Sequence, residues 1–357
     1  MLVRLYINNY KCFSNTLLDT DNQSSLLLIG KNGAGKTGLM EVLGILQTIG
    51  RGEHRVELVA NEENIPRWST EKSFSFEVEA SIGGTLFKYT LCLELPDKFS
   101  KFRIVDERLE VDKVPVLNRE LSNVSLNGKA VFSIDWHYFA LPLIFSHDEN
   151  TKIITFRNWL ANMLLLSPNP RAMRDVSDGE SDYLNASCDN FVDFLITQMS
   201  RDYSLFPTVR EHVCAVLDDF SSLKTVLLGE KAKRLDVAFD GLLKDIRFSQ
   251  LSDGEKIFIL QAVILTLATR NSEVFVFWDE PDNYLAQGEI QAFSRQLRSS
   301  FSKQGQIIMT SHNIQTALTF SRDNTLILSR KNHTTPTKIE KIPAHIDFLS
   351  TVEDAQI

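Results

Sequence analysis

The chain has few cysteines and no long apolar run, and each shortage excludes a class of protein. Four cysteines occur among 357 residues, without a CxxC pair or a His/Cys spacing typical of zinc sites. The longest nearly apolar stretch, Ile257 to Ala268, is interrupted by Gln261 and is too short to span a bilayer. The chain also begins without a charged and apolar signal segment. We therefore expect reduced thiols, no membrane span and a cytoplasmic location.

An excess of positive charge is also missing. The formal net charge is −8 and the pI is near 5.5, which argues against a protein whose main task is to bind phosphate backbones. One short cluster is basic and consists of Lys224, Lys231, Lys233 and Arg234. Both a solvated loop and a contact for nucleic acid or an acidic partner fit this cluster. Nucleic-acid binding is therefore possible but is not the dominant expectation.

The segment GKNGAGKT, Gly30 to Thr37, fits the phosphate-loop pattern G-x-x-x-x-G-K-[ST]. Its glycines allow backbone N–H groups to approach phosphate oxygens closely. Lys36 is expected to reach the β and γ phosphates, and the Thr37 hydroxyl is expected to bind Mg²⁺. The predicted nucleotide-binding residues of this segment are Gly30, Asn32, Gly33, Ala34, Gly35, Lys36 and Thr37.

The flanks of this segment have the pattern that a phosphate loop requires. The apolar run Leu26 to Ile29 predicts a buried strand before the loop. The apolar residues after the loop are spaced to lie on one face of a helix, which Gly50 and Gly52 are expected to end. An ordinary glycine turn would not need this context of strand, loop and helix, so the sequence favours the phosphate loop.

Two acids follow a second apolar run, Val274 to Trp278, which predicts a strand buried on both faces of a parallel sheet. Asp279 then lies at the carboxyl end of the strand, where open α/β sheets bind ligands, and is suited to hold Mg²⁺ through water. Glu280 can orient or deprotonate an attacking water. Two solvated acids after a core strand are the alternative, which the phosphate loop earlier in the chain makes less attractive.

Two further segments have both a structural and a functional interpretation. In LSDGEK, Ser252 and Glu255 have the spacing of a capping box at the start of an apolar helix. That helix could simply belong to the core, or its positive end could bind an anion. The segment from Ile307 to His312 predicts another buried strand with polar residues at its end. A lone histidine in such a place is most often structural or merely exposed.

The four segments in this order resemble the ATPases of the ATP-binding-cassette (ABC) class, in its SMC/RecF-like branch. The chain is most similar to the compact prokaryotic ATPases grouped with the overcoming-lysogenization-defect (OLD) proteins. The resemblance is supported by Asn32-Gly33, by the opening LVRLYINNYKCF and by DEPDNYL at Asp279 to Leu285, close to the DEPENHL usual in that group. Tyr284 replaces the histidine of that pattern. Residues 1 to about 60 and 235 to 330 match well, and the middle matches loosely.

The resemblance implies an α/β fold, namely an ABC-type P-loop ATPase head with an inserted β subdomain and a helical subdomain. It also implies ATP and Mg²⁺ as cofactors, and ATP hydrolysis that is slow and dependent on dimerisation. Ser252 and Gly254 would bind the γ-phosphate of a nucleotide held by a second subunit. His312 lies 32 residues after Glu280, as the switch histidine of this class does. The implied catalytic residues are Lys36, Glu280 and His312, and the implied metal-binding residues are Thr37 and Asp279.

A long insertion separates the two halves of the predicted head, since Ser252 lies 215 residues after Thr37. Its first part alternates polar and apolar residues around Gly83-Gly84, which predicts a hairpin. From Ile154 to about Leu228 the residues favour helix, and Asp240-Gly241 suggests a tight turn between strands. The predicted domains are 1–60, the N-terminal part of the head; 61–150, a β-rich lobe; 151–235, a helical insertion; and 236–357, the C-terminal part of the head. Tyr10 and Phe13 are candidates for stacking on adenine.

Three functions are compatible with such an ATPase. The first is a sensor or scaffold of a prokaryotic anti-phage defence complex, similar to the ATPase subunits of PARIS, Septu or retron systems. The second is a RecF-like DNA-repair clamp, and the third is a transporter cassette, which SDGE in place of SGGQ disfavours. No heptad run is long enough for the arms of chromosome-organising relatives. Only 45 residues follow His312, too few for the Toprim nuclease of larger OLD proteins, so we expect a nuclease or toxin supplied in trans.

Overall fold

The computed structural model describes residues 1–145, 150–301 and 305–343. It divides into two units, of which unit 1 joins Met1–Met163 to the segment from Ser321 onward and unit 2 is Leu164–Phe320. The strands are β1 (Leu2–Asn8), β2 (Thr16–Asp19), β3 (Ser25–Ile29), β4 (Ser73–Ile82), β5 (Thr85–Glu94), β6 (Arg103–Val111), β7 (Val114–Glu120), β8 (Asn123–Leu126), β9 (Lys129–Ser133), β10 (Leu164–Leu166), β11 (Val176–Ser177), β12 (Phe220–Leu228), β13 (Ala232–Phe239), β14 (Ile246–Arg247), β15 (Phe275–Trp278), β16 (Gln306–Ser311), β17 (Thr325–Ser329) and β18 (Lys338–Lys341). The α-helices are α1 (Lys36–Gly50), α2 (Thr151–Ala161), α3 (Phe191–Arg201), α4 (Leu205–Cys214), α5 (Asp253–Arg270), α6 (Gln287–Phe301) and α7 (Ile314–Ala317). Among the described helices, none combines the length and the apolarity needed to cross a lipid bilayer.

Unit 1 contains an antiparallel sheet in the order β2-β1-β4-β5-β6-β7-β8-β9. The predicted hairpin is confirmed, because β4 and β5 pair in a continuous register from Ser73↔Glu94 to Ile82↔Thr85. Gly83 and Gly84 both have positive φ, 57° and 77°, as a two-residue hairpin turn requires. Every second residue of β4, beginning with Phe74, is buried, so the alternation in the sequence forms one apolar face.

An ion pair lies in the core of this sheet. Glu107 and Arg119 have fully buried side chains, with 3.4 Å between Arg119 Nη1 and Glu107 Oε2. Glu107 also accepts hydrogen bonds from the backbone N–H groups of Ala140 and Leu141 and from the Tyr89 hydroxyl. Burial raises the pKa of Glu107, while these donors act in the opposite direction. The network fastens the segment that precedes α2 to the β-rich sheet.

The phosphate-loop context predicted from the sequence is confirmed within unit 1. All five residues of β3 are buried, and β3 pairs in parallel with β17, which in turn pairs antiparallel with β18. Helix α1 begins at Lys36, directly after the loop. Gly52, with φ of 108°, follows the C-terminus of α1, and its N–H donates to Ile49 O. Gly50 is the last residue of α1 and faces α2.

Unit 2 contains the predicted buried strands. β15 pairs in parallel with both β10 and β16, and all residues of β15 and β16 are buried. Parallel strands covered on both faces read as continuous apolar runs, which explains why both were visible in the sequence. The capping box of α5 is also confirmed, since Glu255 N donates to Ser252 Oγ and Ser252 N donates to Glu255 Oε2. Helix α5 is buried around most of its circumference.

The prediction of helix from Ile154 to about Leu228 is only partly correct. Helices α2, α3 and α4 lie in this range, but Leu164 belongs to β10, and β12 is a strand that pairs antiparallel with β13. β14 pairs with β13 as well, across the turn at Asp240-Gly241 that the sequence suggested. The apolar residues of β12 do not alternate cleanly, because its second half is largely exposed. Its strand character comes from pairing with β13, which a local pattern does not reveal.

Candidate functional site

The phosphate loop has a backbone that side chains would not permit. Gly35 has φ of 107°, and a Cβ there would lie 2.8 Å from Cys12 Sγ. A Cβ on Gly30 would lie only 2.4 Å from Leu328 O of β17. The loop therefore packs against neighbouring elements more closely than any residue with a Cβ would allow at these two positions. This is a cradle that a phosphate group fits, since phosphates bind to bare backbone N–H groups.

The ammonium group of Lys36 lies within this loop. The residue is only 6% exposed, and Nζ donates to Gly30 O at 2.7 Å and to Lys31 O at 3.4 Å. Thr37 follows it in the first turn of α1 and is exposed. This first turn contains no acidic residue, so the positive end of a 15-residue helix is not neutralised locally. Lysine, helix N-terminus and glycine loop thus form a donor set for a polyphosphate.

The segment from Tyr10 to Phe13 packs against the phosphate loop. Phe13 packs against Gly35 and Gly38, and the Thr337 hydroxyl donates to Ala34 O at 2.8 Å. Burial raises the pKa of the Cys12 thiol, so this thiol stays protonated.

The suggestion that Tyr10 and Phe13 stack on adenine is wrong. Tyr10 is 2% exposed and Phe13 is fully buried, and the Tyr10 ring makes edge contacts with Phe74 and Phe76. Burial also raises the pKa of Tyr10. A sequence pattern cannot separate a core aromatic from a ligand platform when both are flanked by polar residues.

The two acids after β15 are joined by a threonine that the sequence analysis did not single out. Asp279 is 7% exposed, and its Oδ1 accepts a 2.5 Å hydrogen bond from Thr310 Oγ1. Glu280 N donates to the same Thr310 oxygen at 3.0 Å. Thr310 lies near the end of β16, next to β15. In the sequence, its position in the TSHN segment is the feature that could have indicated its role. The Thr310 hydroxyl thus positions the side chain of Asp279, which is suited to bind Mg²⁺. It also positions the backbone of Glu280, which is suited to act on water.

Glu280 and His312 are brought together. His312 Nδ1 lies 3.2 Å from Glu280 Oε1, and Glu280 Oε2 accepts a 2.8 Å hydrogen bond from Asn283 Nδ2. Glu280 has φ of 49°, a left-handed conformation that non-glycine residues rarely adopt and that often marks functional sites. The carboxylate is held on both oxygens but remains partly exposed, so it can still meet a water molecule.

Asp282 supports the same turn and was also missed. Its Oδ2 accepts hydrogen bonds from Ser311 Oγ at 2.6 Å and from Thr316 Oγ1 at 2.5 Å. Because Ser311 ends β16 and Thr316 lies in α7, Asp282 ties the turn after β15 to both ends of the segment that contains His312. The arrangement positions His312 relative to Glu280.

The segment LSDGEK, here called the signature segment, lies at the N-terminus of α5 in unit 2. Ser252 makes its hydrogen bonds within its own capping box, and a Cβ on Gly254 would lie 3.3 Å from Tyr284 O. Lys256 Nζ donates to Pro170 O at 3.1 Å, which fixes the first turn of the helix. The glycine therefore allows the helix N-terminus to lie against the segment that follows the two acids.

The donors for a metal are few. Within the described ranges, no group of three or more His, Cys, Asp and Glu side chains could hold a metal ion. Mg²⁺ bound together with a nucleotide uses only one or two protein ligands, with phosphate oxygens and waters completing its octahedron. The predicted metal-binding residues, Thr37 and Asp279, fit this requirement by their chemistry.

A family model matches most of the chain. The family described as "AAA domain, putative AbiEii toxin, Type IV TA system" matches residues 25–318, a range that contains all four sequence motifs. No curated protein sequence is significantly similar to this chain.

Three solved structures of SMC heads share the fold of this chain. An SMC head bound to the C-winged helix domain of ScpA is 13% identical with a TM-score of 0.59, covering 96% of this chain and 98% of that chain. The SMC head domain from Thermotoga maritima is 16% identical with a TM-score of 0.51, covering 96% and 99%. An SMC head with an extended coiled coil, bound to the C-terminal domain of ScpA and derived from Pyrococcus furiosus, is 11% identical with a TM-score of 0.56, covering 100% and 99%. The predicted α/β fold of an ABC-type ATPase head is therefore confirmed.

Proposed function

Because the chain belongs to the family described as AAA domain, putative AbiEii toxin, Type IV TA system, and has the fold of an ABC-type P-loop ATPase head, we propose that it binds and slowly hydrolyses ATP with Mg²⁺. The observation that carries this proposal is the hydrogen-bonded group of Asp279, Glu280, Thr310 and His312. A merely structural pair of acids would not need a strained glutamate held by a histidine and an asparagine.

Each residue of the proposed site has a chemical task. Lys36 neutralises phosphate charge, the loop N–H groups donate hydrogen bonds to phosphate oxygens, and Thr37 and Asp279 would hold Mg²⁺. Glu280 orients and deprotonates the attacking water, with His312 fixing its carboxylate and contacting the γ-phosphate. Bound Mg²⁺ supplies charge stabilisation at the phosphate oxygens. The proposed nucleotide-binding residues remain Gly30, Asn32, Gly33, Ala34, Gly35, Lys36, Thr37, Ser252 and Gly254.

We further propose that hydrolysis needs two copies of the chain. Ser252 and Gly254 lie at the N-terminus of α5, where the resemblance to the ABC class places the γ-phosphate of the other subunit's nucleotide. Because Asp253 and Glu255 lie in the same first turn, this contact depends on the Ser252 hydroxyl and on backbone N–H groups rather than on an unopposed helix charge. In a two-fold homodimer, this helix closes on the nucleotide held by the other subunit. ATP then joins the subunits, and hydrolysis releases them.

The proposed biological role is that of a sensor or scaffold in a prokaryotic anti-phage complex, which controls a nuclease or toxin supplied in trans. The family description names a putative toxin of a toxin–antitoxin system, which links the family itself to toxicity. The RecF-like alternative receives less support from the basic cluster. Lys224 pairs with Asp245 and Arg234 pairs with Asp236, so half of the cluster is neutralised.

Two variants test the proposed chemistry. Lys36→Ala is expected to abolish ATP binding, because a cation inside the loop is lost. Glu280→Gln is expected to retain ATP while phosphate release falls by about 10² to 10⁴, the scale of a positioned acid or base. Calorimetric binding and phosphate release measure the two effects, with Glu230→Gln, at an exposed turn, as the matched control. Equal loss of binding in both variants would contradict the role of Glu280.

A further inference from the structure

A cavity of about 480 Å³ lies beside the phosphate loop in unit 1, and most of its lining has no role in the site described above. One wall is the loop itself. The others come from the end of β17 and from the segment Arg330–His333, here called the 330 loop. The lining residues are Lys31, Asn32, Gly33, Ala34, Ile327, Leu328, Ser329, Arg330, Lys331, Asn332 and His333.

The cavity is continuous with the place where phosphates would bind. β17 runs parallel to β3, with Ile327 opposite Ile29, so both strands end at the same edge of the sheet. The loop that follows β3 and the 330 loop that follows β17 therefore emerge side by side. Gly30 packs closely against Leu328 O, so the two loops are in contact where they leave the sheet. Ligands of open α/β sheets bind at this edge.

The chemistry of the lining fits a base and a sugar attached to an anion. Ile327, which is partly exposed, supplies apolar surface, and Lys31 and Lys331 supply positive charge. Asn332 Nδ2 and the His333 ring can pair with the edge of a base, whereas Asn332 Oδ1 already accepts hydrogen bonds from Thr334 N and Thr334 Oγ1. The lining contains no carboxylate, although acids outnumber bases in the whole chain. The volume is within the usual range for small-molecule sites, about 300 to 1,000 Å³.

The 330 loop is held in one conformation by its own hydrogen bonds. Arg330 Nε donates to Thr335 O at 2.9 Å and Arg330 Nη2 donates to His333 O at 2.6 Å. The Arg330 guanidinium also lies over the Trp68 ring, 5.1 Å from its centroid. Asn332 N donates to Thr335 Oγ1 at 3.1 Å. A loop fixed before binding loses little conformational entropy when a ligand arrives.

We propose that this cavity binds the base and ribose of the nucleotide whose phosphates lie in the phosphate loop. Asn332 and His333 contact the edge of the base, and Ile327 contacts its face. The assignment rests on the proposed ATP binding and adds to it the part of the nucleotide that Tyr10 and Phe13 cannot hold. It requires that ATP binds more tightly than inorganic tripolyphosphate, which has no base.

Filling the cavity separates the two parts of the ligand. Ser329 is an exposed residue at the end of β17, and Ser329→Trp places a large ring in the space assigned to the base. ATP affinity is expected to fall at least about 10-fold, while affinity for tripolyphosphate stays that of the wild type. Ser122→Trp, at an exposed serine outside the lining, is the matched control. Calorimetric titration of each variant with ATP and with tripolyphosphate gives both affinities.

Three results would count against the assignment. Equal wild-type affinity for ATP and tripolyphosphate, or unchanged ATP affinity in Ser329→Trp, would overturn it and leave the proposed function intact. Failure of wild-type protein to bind either compound would overturn the proposed function and this assignment with it.

A second measurement locates the base without any substitution. Irradiation of the wild-type protein with 8-azido-ATP is expected to attach the label to the peptide that contains residues 327–333, and excess ATP is expected to prevent labelling. Mass spectrometry after digestion with a protease that does not cut at lysine or arginine identifies the peptide. A label confined to any other peptide would overturn the assignment.

Discussion

At the scale of single residues, the candidate site depends on side chains that position other groups and do not react themselves. Thr310 contributes no charge, but its hydroxyl contacts both Asp279 Oδ1 and Glu280 N. Asp282 acts in the same way on the two turns, through Ser311 and Thr316. Such residues set where the reactive carboxylate lies, and an error of about 1 Å in that place can cost about 100-fold in rate.

Thr310→Val tests this positioning directly. The valine keeps the size and branching of threonine and removes the hydroxyl that joins the two acids. We expect ATP turnover to fall by about 10-fold to 100-fold while ATP binding changes little, because the lysine and the loop are intact. Phosphate release and calorimetric binding measure the two quantities. Thr310→Ser, which restores the hydroxyl, is expected to recover most of the turnover, and equal loss in both variants would contradict the positioning role.

At the scale of secondary-structure elements, the glycines of helix α1 differ in how closely they are packed. Gly50 at the end of α1 lies against α2, where a Cβ would be 2.7 Å from both Ala161 N and Leu160 Cβ. Gly44, in the middle of the same helix, has nothing within 4 Å of its Cβ position. Of the three glycines in α1, packing therefore requires Gly50 and does not require Gly44.

Alanine substitutions at these two glycines are expected to have opposite effects on stability. Gly50→Ala inserts a methyl group into backbone contacts and should lower the free energy of unfolding by about 1 to 3 kcal/mol. Gly44→Ala should raise it by about 0.5 to 1 kcal/mol, because alanine favours the helix and meets no neighbour. Denaturant unfolding of both variants beside the wild type measures the difference. A neutral Gly50→Ala would show that α1 and α2 do not pack as closely as described.

The elements that could be predicted from the sequence are those with a strong local pattern. The β4–β5 hairpin, the buried runs of β3, β15 and β16, and the capped start of α5 all follow from periodicity and turn chemistry. β12 could not be predicted, because its pairing with β13 decides its conformation. The roles of Thr310 and of the 330 loop follow from which strands are neighbours, and residues close in space but distant in sequence leave no local signal.

At the scale of the whole molecule, the motifs of the proposed ATPase come from both halves of the sequence. The phosphate loop and the signature helix lie at distant positions in the sequence. In the proposed homodimer, each composite site takes its phosphate loop from one subunit and Ser252 from the other. This arrangement predicts a behaviour that a site formed within a single chain does not have.

Subunits with different defects should complement each other. Lys36→Ala disables the phosphate loop, and Ser252→Glu places a negative charge where the γ-phosphate is expected, so each homodimer should be inactive. A mixed dimer contains one site with an intact phosphate loop from the Ser252→Glu subunit and an intact signature from the Lys36→Ala subunit. Half of the sites in mixed dimers are then complete, whereas the other half carry both defects.

Phosphate release from co-expressed, differently tagged variants should therefore recover a substantial fraction of the wild-type rate, and the doubly substituted chain mixed with itself should stay inactive. An inactive mixed dimer, formed from folded subunits that copurify, would show that Ser252 acts within its own subunit or does not contact the nucleotide.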